Sequence, residues 1–291
     1  MINIYLLLAV IFWGLSFIGT KMVLEYLTPS EIIAVRFLLG SSVLLSVKTW
    51  RKIKFDFRRS DLGLIVFVSL FFGFHVILQA FGLIYTSATN TAWLIATIPV
   101  FIAITSRIIL KEYLNSQKII GIFIATFGVI LLISKGNFEN LGWLQSVGDW
   151  IILFTCITWT IYTIIIRKLT KVHNPLSLMV AILIIPGACL VLLTLVTTPI
   201  ERFFNLPYHI LLILSGLGII CAGLAQWIWL EGITQKGTVR AGVYIYFEPV
   251  VTTLAAMPIL GETLNIAGFI GAGLILGGVY LVESQNNKKI K

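Results

Sequence analysis

Charged side chains are what this sequence has least of. Lys, Arg, Asp and Glu make up 11% of its 291 residues, against roughly 25% in ordinary soluble domains. A chain so poor in charge cannot cover a water-facing surface, which excludes both a large soluble domain and extended disorder. Cysteine is scarce as well. Cys156, Cys189 and Cys221 lie far apart, each inside an apolar run, with no metal-ligand spacing. They read as small apolar fillers, and no metal site is expected. Neither H-E-x-x-H nor G-x-S-x-G occurs, which weakens any case for an embedded enzyme. No P-loop occurs either, so the chain does not itself use ATP, and no cofactor is expected.

What the sequence has in abundance is hydrocarbon. Hydrophobic residues are 58% of the chain and the mean hydropathy is +1.01. A helix needs about 20 apolar residues to cross about 30 Å of bilayer core. Ten such runs fall near 4–20, 30–47, 61–84, 88–109, 118–134, 147–168, 176–197, 208–230, 238–259 and 264–283. The expected fold is an all-α integral membrane protein of ten transmembrane helices joined by short loops. The first run lacks the basic n-region and A-x-A site of a signal peptide and is expected to stay as a helix.

The net charge of +9 raises the question of nucleic acid. The placement of the charges answers it, because the basic residues gather in short loops between apolar runs. With a cytoplasmic N-terminus, 17 Lys and Arg fall in the inner loops and tail and three, Lys21, Lys135 and Arg202, fall outside. That asymmetry follows the positive-inside rule and predicts both termini on the cytoplasmic side of the cytoplasmic membrane. The bilayer, not nucleic acid, is the expected partner.

The chain also repeats itself. Gly82, Pro99, Glu112, Leu114, Gly121 and Gly128 recur, 150 positions on, as Gly232, Pro249, Glu262, Leu264, Gly271 and Gly278. Trp13, Lys21 and Pro29 recur 146 positions on as Trp159, Arg167 and Pro175. The halves divide near 1–138 and 139–291. Each holds five spans, an odd number, so the second must enter the membrane from the opposite side. The loop charges agree: the bases missing from "IYTSATN" appear in its partner "TQKGTVR". Inverted repeats of this kind place a substrate site near the midplane at the repeat interface.

At that depth lies Glu248, in the apolar stretch "VYIYFEPVVTTLAAMPIL". Counting about 1.5 Å per residue from Thr238 puts it about 15 Å into the membrane. An ionised carboxylate there costs roughly 2.5–3.5 kcal/mol. It must face a wet cavity, pair with a cation or take up a proton. Arg36 is the basic residue well inside a span and the natural partner, though it could instead snorkel to the outer interface. Pro99 and Pro249 match in depth, and each removes a backbone N–H, so a kinked pair lining a cavity is expected. His75 is either a cavity group or a neutral histidine bonded to a neighbouring helix, and Gln79, one turn on, shares its face. Trp93 and Tyr244, on the two proline-bearing helices, are further cavity candidates, with Trp13 and Tyr162. Glu112 and Glu262 sit at membrane edges and read as helix-end anchors. The glycine rows Gly121 to Gly128 and Gly268 to Gly278 suit close packing, within one chain or between two, which leaves a homodimer open.

The motifs "FWGLSF", "EIIAVRFLLG", "LKEYLNSQKIIGIFIATFGVIL" and "YFEPVVTTLAAMPILGETLNIAGFIGAGLILGGVYLV" resemble the EamA-like branch of the drug/metabolite transporter superfamily, over nearly the whole chain. "LKEYL" departs from the "GE" form by carrying Lys111 where the second half has Gly261. The resemblance implies ten helices in two inverted halves and a cavity lined chiefly by the third, fourth, eighth and ninth. It implies small metabolites, amino acids or drugs as substrates, often exported. The expected function is a secondary transporter working by alternating access; the alternatives are a facilitator pore, or a lipid-head-group carrier or membrane-embedded enzyme.

Overall fold

The computed structural model describes residues 2–134, 144, 146–260 and 266–284. Expectations for Lys135, Gly261, Glu262, Leu264, the half boundary near 138 and the basic tail fall outside them. The described residues form helices α1 (Ile2–Val23), α2 (Pro29–Trp50), α3 (Leu62–Ile84), α4 (Ala88–Leu110), α5 (Ser116–Ser134), α6 (Val147–Leu169), α7 (Pro175–Thr197), α8 (Tyr208–Lys236), α9 (238–260) and α10 (Ile266–Glu283). Eight of these are long and apolar enough to cross a membrane, and α5 holds a shorter apolar stretch, Ser116–Leu132. The ninth is broken into Thr238–Gly242, a 3-10 turn Val243–Tyr246 and Phe247–Leu260.

Helix starts follow from local chemistry. Thr28 caps α2 and Ser146 caps α6. Each makes a reciprocal box with a carboxylate three residues on, Glu31 and Asp149, and so satisfies otherwise orphaned N–H groups. Pro29 and Pro175 open α2 and α7, where a missing N–H costs nothing. Lys111 closes α4 at φ 55°, a left-handed conformation that glycine adopts freely, and the second half has Gly261 at the corresponding position.

Several helix ends are satisfied from across the molecule. The Lys21 Nζ donates to the carbonyls of Leu83, Ile84 and Thr86, at the end of α3. Arg167 donates to the carbonyl of Thr234, near the end of α8. A cation at a helix C-terminus meets both the orphan carbonyls and the negative end of the dipole. Glu112 does the converse. Its carboxylate accepts from the N–H of Thr238 at 3.0 Å, the Thr238 hydroxyl at 2.9 Å and the N–H of Val239 at 3.4 Å, capping α9. The reading of Glu112 as a helix-end anchor acquires a specific partner.

Helix α5 packs along α10, α2 along α7, α3 along α6, and α1 against α8 and α9. Gly121 meets the backbone of Gly278, and Gly128 meets that of Gly271, so α5 and α10 run antiparallel. Without a hydrophobic drive between helices in lipid, such contact rests on van der Waals packing that small residues permit. The glycine rows are thus occupied within the chain. Leu38, Phe67, Phe123, Leu192 and Phe269 point outward with half or more of their area exposed, as lipid-facing side chains would.

Candidate substrate cavity

The break in α9 and its counterpart in α4 position the site. Helix α4 turns at Ala96–Thr97 and restarts at Ile98, with Pro99 in its first turn. Helix α9 restarts at Phe247, with Glu248 and Pro249 next. Both interruptions lie just ahead of the proline, where its ring and missing N–H disfavour a continuous helix. Gly14 lets α1 come close at this level: a Cβ there would stand 3.1 Å from the Glu248 carbonyl oxygen. Thr252 ties the same place by donating to the carbonyl of Gly14 or of Glu248, each at 2.9 Å.

Glu248, Arg36, His75, Gln79 and Trp13 line one cavity of about 50 Å³, together with Ser16, Phe17, Trp159, Gln226 and apolar side chains including Val76, Ile95 and Ile245. That is room for a few waters. Glu248 is 2% exposed, and among the described residues its carboxyl group makes no hydrogen bond or ion pair. Arg36 lines the same space without pairing with it. Its NH1 reaches the Thr20 hydroxyl at 3.5 Å, and its Nε has no partner.

His75 joins both of its expected descriptions. Its Nδ1 lies 2.8 Å from the Thr158 hydroxyl of α6, and its ring also lines the cavity. The Thr158 hydroxyl donates its proton to the Thr155 carbonyl at 3.0 Å. It therefore accepts from His75 Nδ1–H, which in the neutral ring leaves Nε2 as an acceptor. Trp13 is fixed from the far side by donating Nε1–H to the carbonyl of Cys221 at 3.2 Å. That carbonyl belongs to a wide-turned π segment of α8, Leu217–Ala225. Such segments disturb the regular ladder and frequently accompany functional sites. Gln226 follows it directly and reaches the cavity wall.

The cavity narrows past Thr20, Arg36, Gln79 and Leu83. Next along α1 and α3, at Lys21 and Ile84, a hollow of about 400 Å³ opens at the surface, with Glu25, Thr28 and Arg202 among its walls. On the other side stands an aromatic block. Trp13 packs against Trp159 at 5.5 Å and Trp229 at 5.4 Å between ring centroids, and Tyr162 packs against Phe72 at 4.9 Å and Trp159 at 5.4 Å. Rings thus close the site on that side, and the surface hollow at Lys21 shares no wall residue with the cavity.

Tyr162, Trp93 and Tyr244 lie outside this cavity's lining. Tyr162 is fully buried in the aromatic block, Tyr244 packs beside Phe247, and Trp93 is half-buried against the core. Sequence reasoning omitted Trp159, Ser16, Phe17 and Gln226 from the site. Trp159 carried a usable signal, being the repeat partner of Trp13. Gln226 carried one as an amide inside an apolar run.

The model of the EamA-like transporter family matches this chain over residues 1–134 and 146–284. The chain belongs to that family. The uncharacterized transporter YyaM of Bacillus subtilis is 30% identical over 96% of this chain and 92% of its own length. An uncharacterized transporter of Archaeoglobus fulgidus is 29% identical over 98% of each chain. One solved crystal structure superposes with a TM-score of 0.75 at 18% identity, covering 97% of this chain and 95% of that one, a likeness of fold alone. The protein is therefore a multi-pass membrane transporter, and the family and the names of its relatives indicate a transporter rather than an enzyme.

Proposed function

We propose that this transporter carries small organic solutes across the cytoplasmic membrane by alternating access, acting as an exporter, around the Glu248 cavity. The observation that carries the reading is a buried, unpaired carboxyl group in a cavity closed toward one face by aromatic rings. A permanently open pore has no use for such a block. A carrier needs one barrier at a time, and the Trp13, Trp159 and Trp229 rings supply it.

The two halves are proposed to be inverted repeats, and matched contacts support this. Lys21 bonds the carbonyl of Ile84, and Arg167 bonds that of Thr234. Each cation and each carbonyl sits in the same place in its own half, at offsets of 146 and 150. Gly121 on Gly278 and Gly128 on Gly271 are one contact related by the same exchange. The distribution of Lys and Arg supports cytoplasmic termini, which makes the Lys21 face external and the ring block internal.

Reconstitution in liposomes tests the mechanism. Candidate solutes are loaded inside, and a labelled trace of each is offered outside. Saturable uptake stimulated by internal solute supports a carrier. Non-saturable equilibration without counterflow would mean a pore.

A further inference from the structure

The chain between α2 and α3 forms a strap of fixed shape. It reverses just past α2 at Lys52, whose backbone is left-handed at φ 54°. Lys48 reaches back from α2, donating Nζ–H to the Ile53 carbonyl at 2.6 Å and standing 3.5 Å from the centre of the Phe55 ring. The far side is pinned to the turn between α6 and α7. The Ser177 hydroxyl donates to the Lys54 carbonyl at 3.2 Å, and buried His173 lies 2.8 Å from the Asp61 carboxylate and 3.4 Å from the Asp56 carbonyl. These contacts engage the strap's backbone, Phe55 and Asp61 and leave its outward cations free. Arg51, Lys52, Lys54, Arg58 and Arg59 are all exposed. Among the described residues none of the five makes an ion pair or a side-chain hydrogen bond, and Arg51 alone has a ring contact, 4.9 Å over Trp227. Exposed Lys168 and Lys171, at the end of α6 and in the turn that pins the strap, add to the same face. Against these cations the strap offers one exposed carboxylate, Asp56.

We propose that this face binds anionic phospholipid headgroups in the leaflet beside it. Like charges crowded on one surface repel each other, and a bound anion relieves them. The neighbouring side chains select a lipid over a dissolved phosphate. Trp50 is 81% exposed, and Phe55 and Val172 are exposed with it, among the cations at the ends of spanning helices α2 and α7. Tryptophan beside Lys and Arg is the residue set of the headgroup level. A dissolved phosphate would leave the rings in water. A lipid meets both groups, its phosphate on the cations and its upper acyl chain on the rings. Arg58 and Arg59 each present a planar fork that can donate two parallel hydrogen bonds to a phosphate. The face shares no residue with the lining of the Glu248 cavity, and its lipid does not depend on what the transporter carries.

The experiment uses the purified full chain in a nonionic detergent. Phosphatidylglycerol, phosphatidylcholine and glycerol 3-phosphate are titrated in turn, and the affinity of the tightest-bound molecule is read by native mass spectrometry. A cation at a membrane surface contributes roughly fivefold in affinity for an anionic lipid. The wild type should therefore bind phosphatidylglycerol about tenfold or more tightly than either other probe, and added salt should shrink that preference. Arg58→Gln with Arg59→Gln should weaken phosphatidylglycerol binding about tenfold or more and leave phosphatidylcholine binding unchanged. Arg58→Lys with Arg59→Lys keeps the charge and should retain most of the preference, which guards against a variant that merely fails to fold. Arg107→Gln with Lys111→Gln removes two exposed cations from the end of α4 and should leave phosphatidylglycerol binding as it was. Equal binding of the two lipids would overturn the assignment. So would glycerol 3-phosphate binding as tightly as phosphatidylglycerol, which would mean a site for soluble anions. Equal losses from the strap pair and the α4 pair would overturn it too, by showing that net charge and not this face selects the lipid.

Discussion

A Cβ on Gly278 would stand 2.5 Å from the carbonyl oxygen of Gly121, so α10 and α5 meet there backbone to backbone. Alanine cannot fit without pushing the two helices apart. Gly278→Ala should destabilise the protein by about 1–3 kcal/mol, the usual cost of overpacking. Gly277→Ala, one residue earlier, has nothing within 4 Å of the added atom and should leave Tm unchanged. Thermal unfolding of the two variants in one detergent checks the contrast.

Glu112 is the N-terminal cap of a helix in the other half of the chain. Glu112→Ala removes the acceptor for two N–H groups and a hydroxyl at the start of α9. A lost cap costs about 1 kcal/mol, and loss of the carboxylate adds a dipole term of similar or smaller size. Glu112→Gln keeps an acceptor and should recover part of the loss. Equal Tm for all three proteins would show that the cap does not stabilise α9.

Water access separates the cavity residues from the aromatics packed elsewhere. In a background without Cys156, Cys189 and Cys221, cysteines replacing Gln79 and Ser16 should react with a small hydrophilic thiol reagent. One replacing Tyr244, which is buried beside Phe247, should not. A bound solute should slow the first two reactions. Fast reaction at 244 would move the water-filled space to the other side of α9.

Orientation has its own test. In the same background, a cysteine at the exposed position 205 should be labelled in whole cells by an impermeant reagent, and one at exposed Lys54 should not. The reverse labelling would place the Lys21 face in the cytoplasm and make the ring block the external barrier.

Most of the scaffold was legible in the sequence because a bilayer imposes length and apolarity on every span. Among the described residues, eight of the ten runs form helices long and apolar enough to cross a membrane, and prolines at 29 and 175 stand at helix starts for a steric reason that any context preserves. Which way a side chain faces was not legible. Tyr244 and Glu248 are one turn apart on paper, but the 3-10 turn at Val243–Tyr246 changes the rotation per residue between them. Only Glu248 reaches the cavity. The π segment Leu217–Ala225 acts likewise on Gln226 and frees the Cys221 carbonyl for Trp13. No apolar pattern announces it, since Leu, Gly, Ile, Cys and Ala suit a regular helix equally well. Arg36 and Glu248 were legible as one site but not as an unpaired couple, because sequence carries no distance between α2 and α9.

The most direct test of the central reading is counterflow by Glu248→Gln in proteoliposomes, measured across a range of pH beside the wild type. Gln keeps the size and a hydrogen-bonding group and removes the charge. If Glu248 holds the solute, the variant should fold, insert and elute as the wild type does. Its transport should fall about tenfold or more, as expected for losing a charged hydrogen bond, or should lose its dependence on pH. Wild-type counterflow at every pH by a well-folded Glu248→Gln would contradict a functional charge at this position and leave Glu248 as a structural residue.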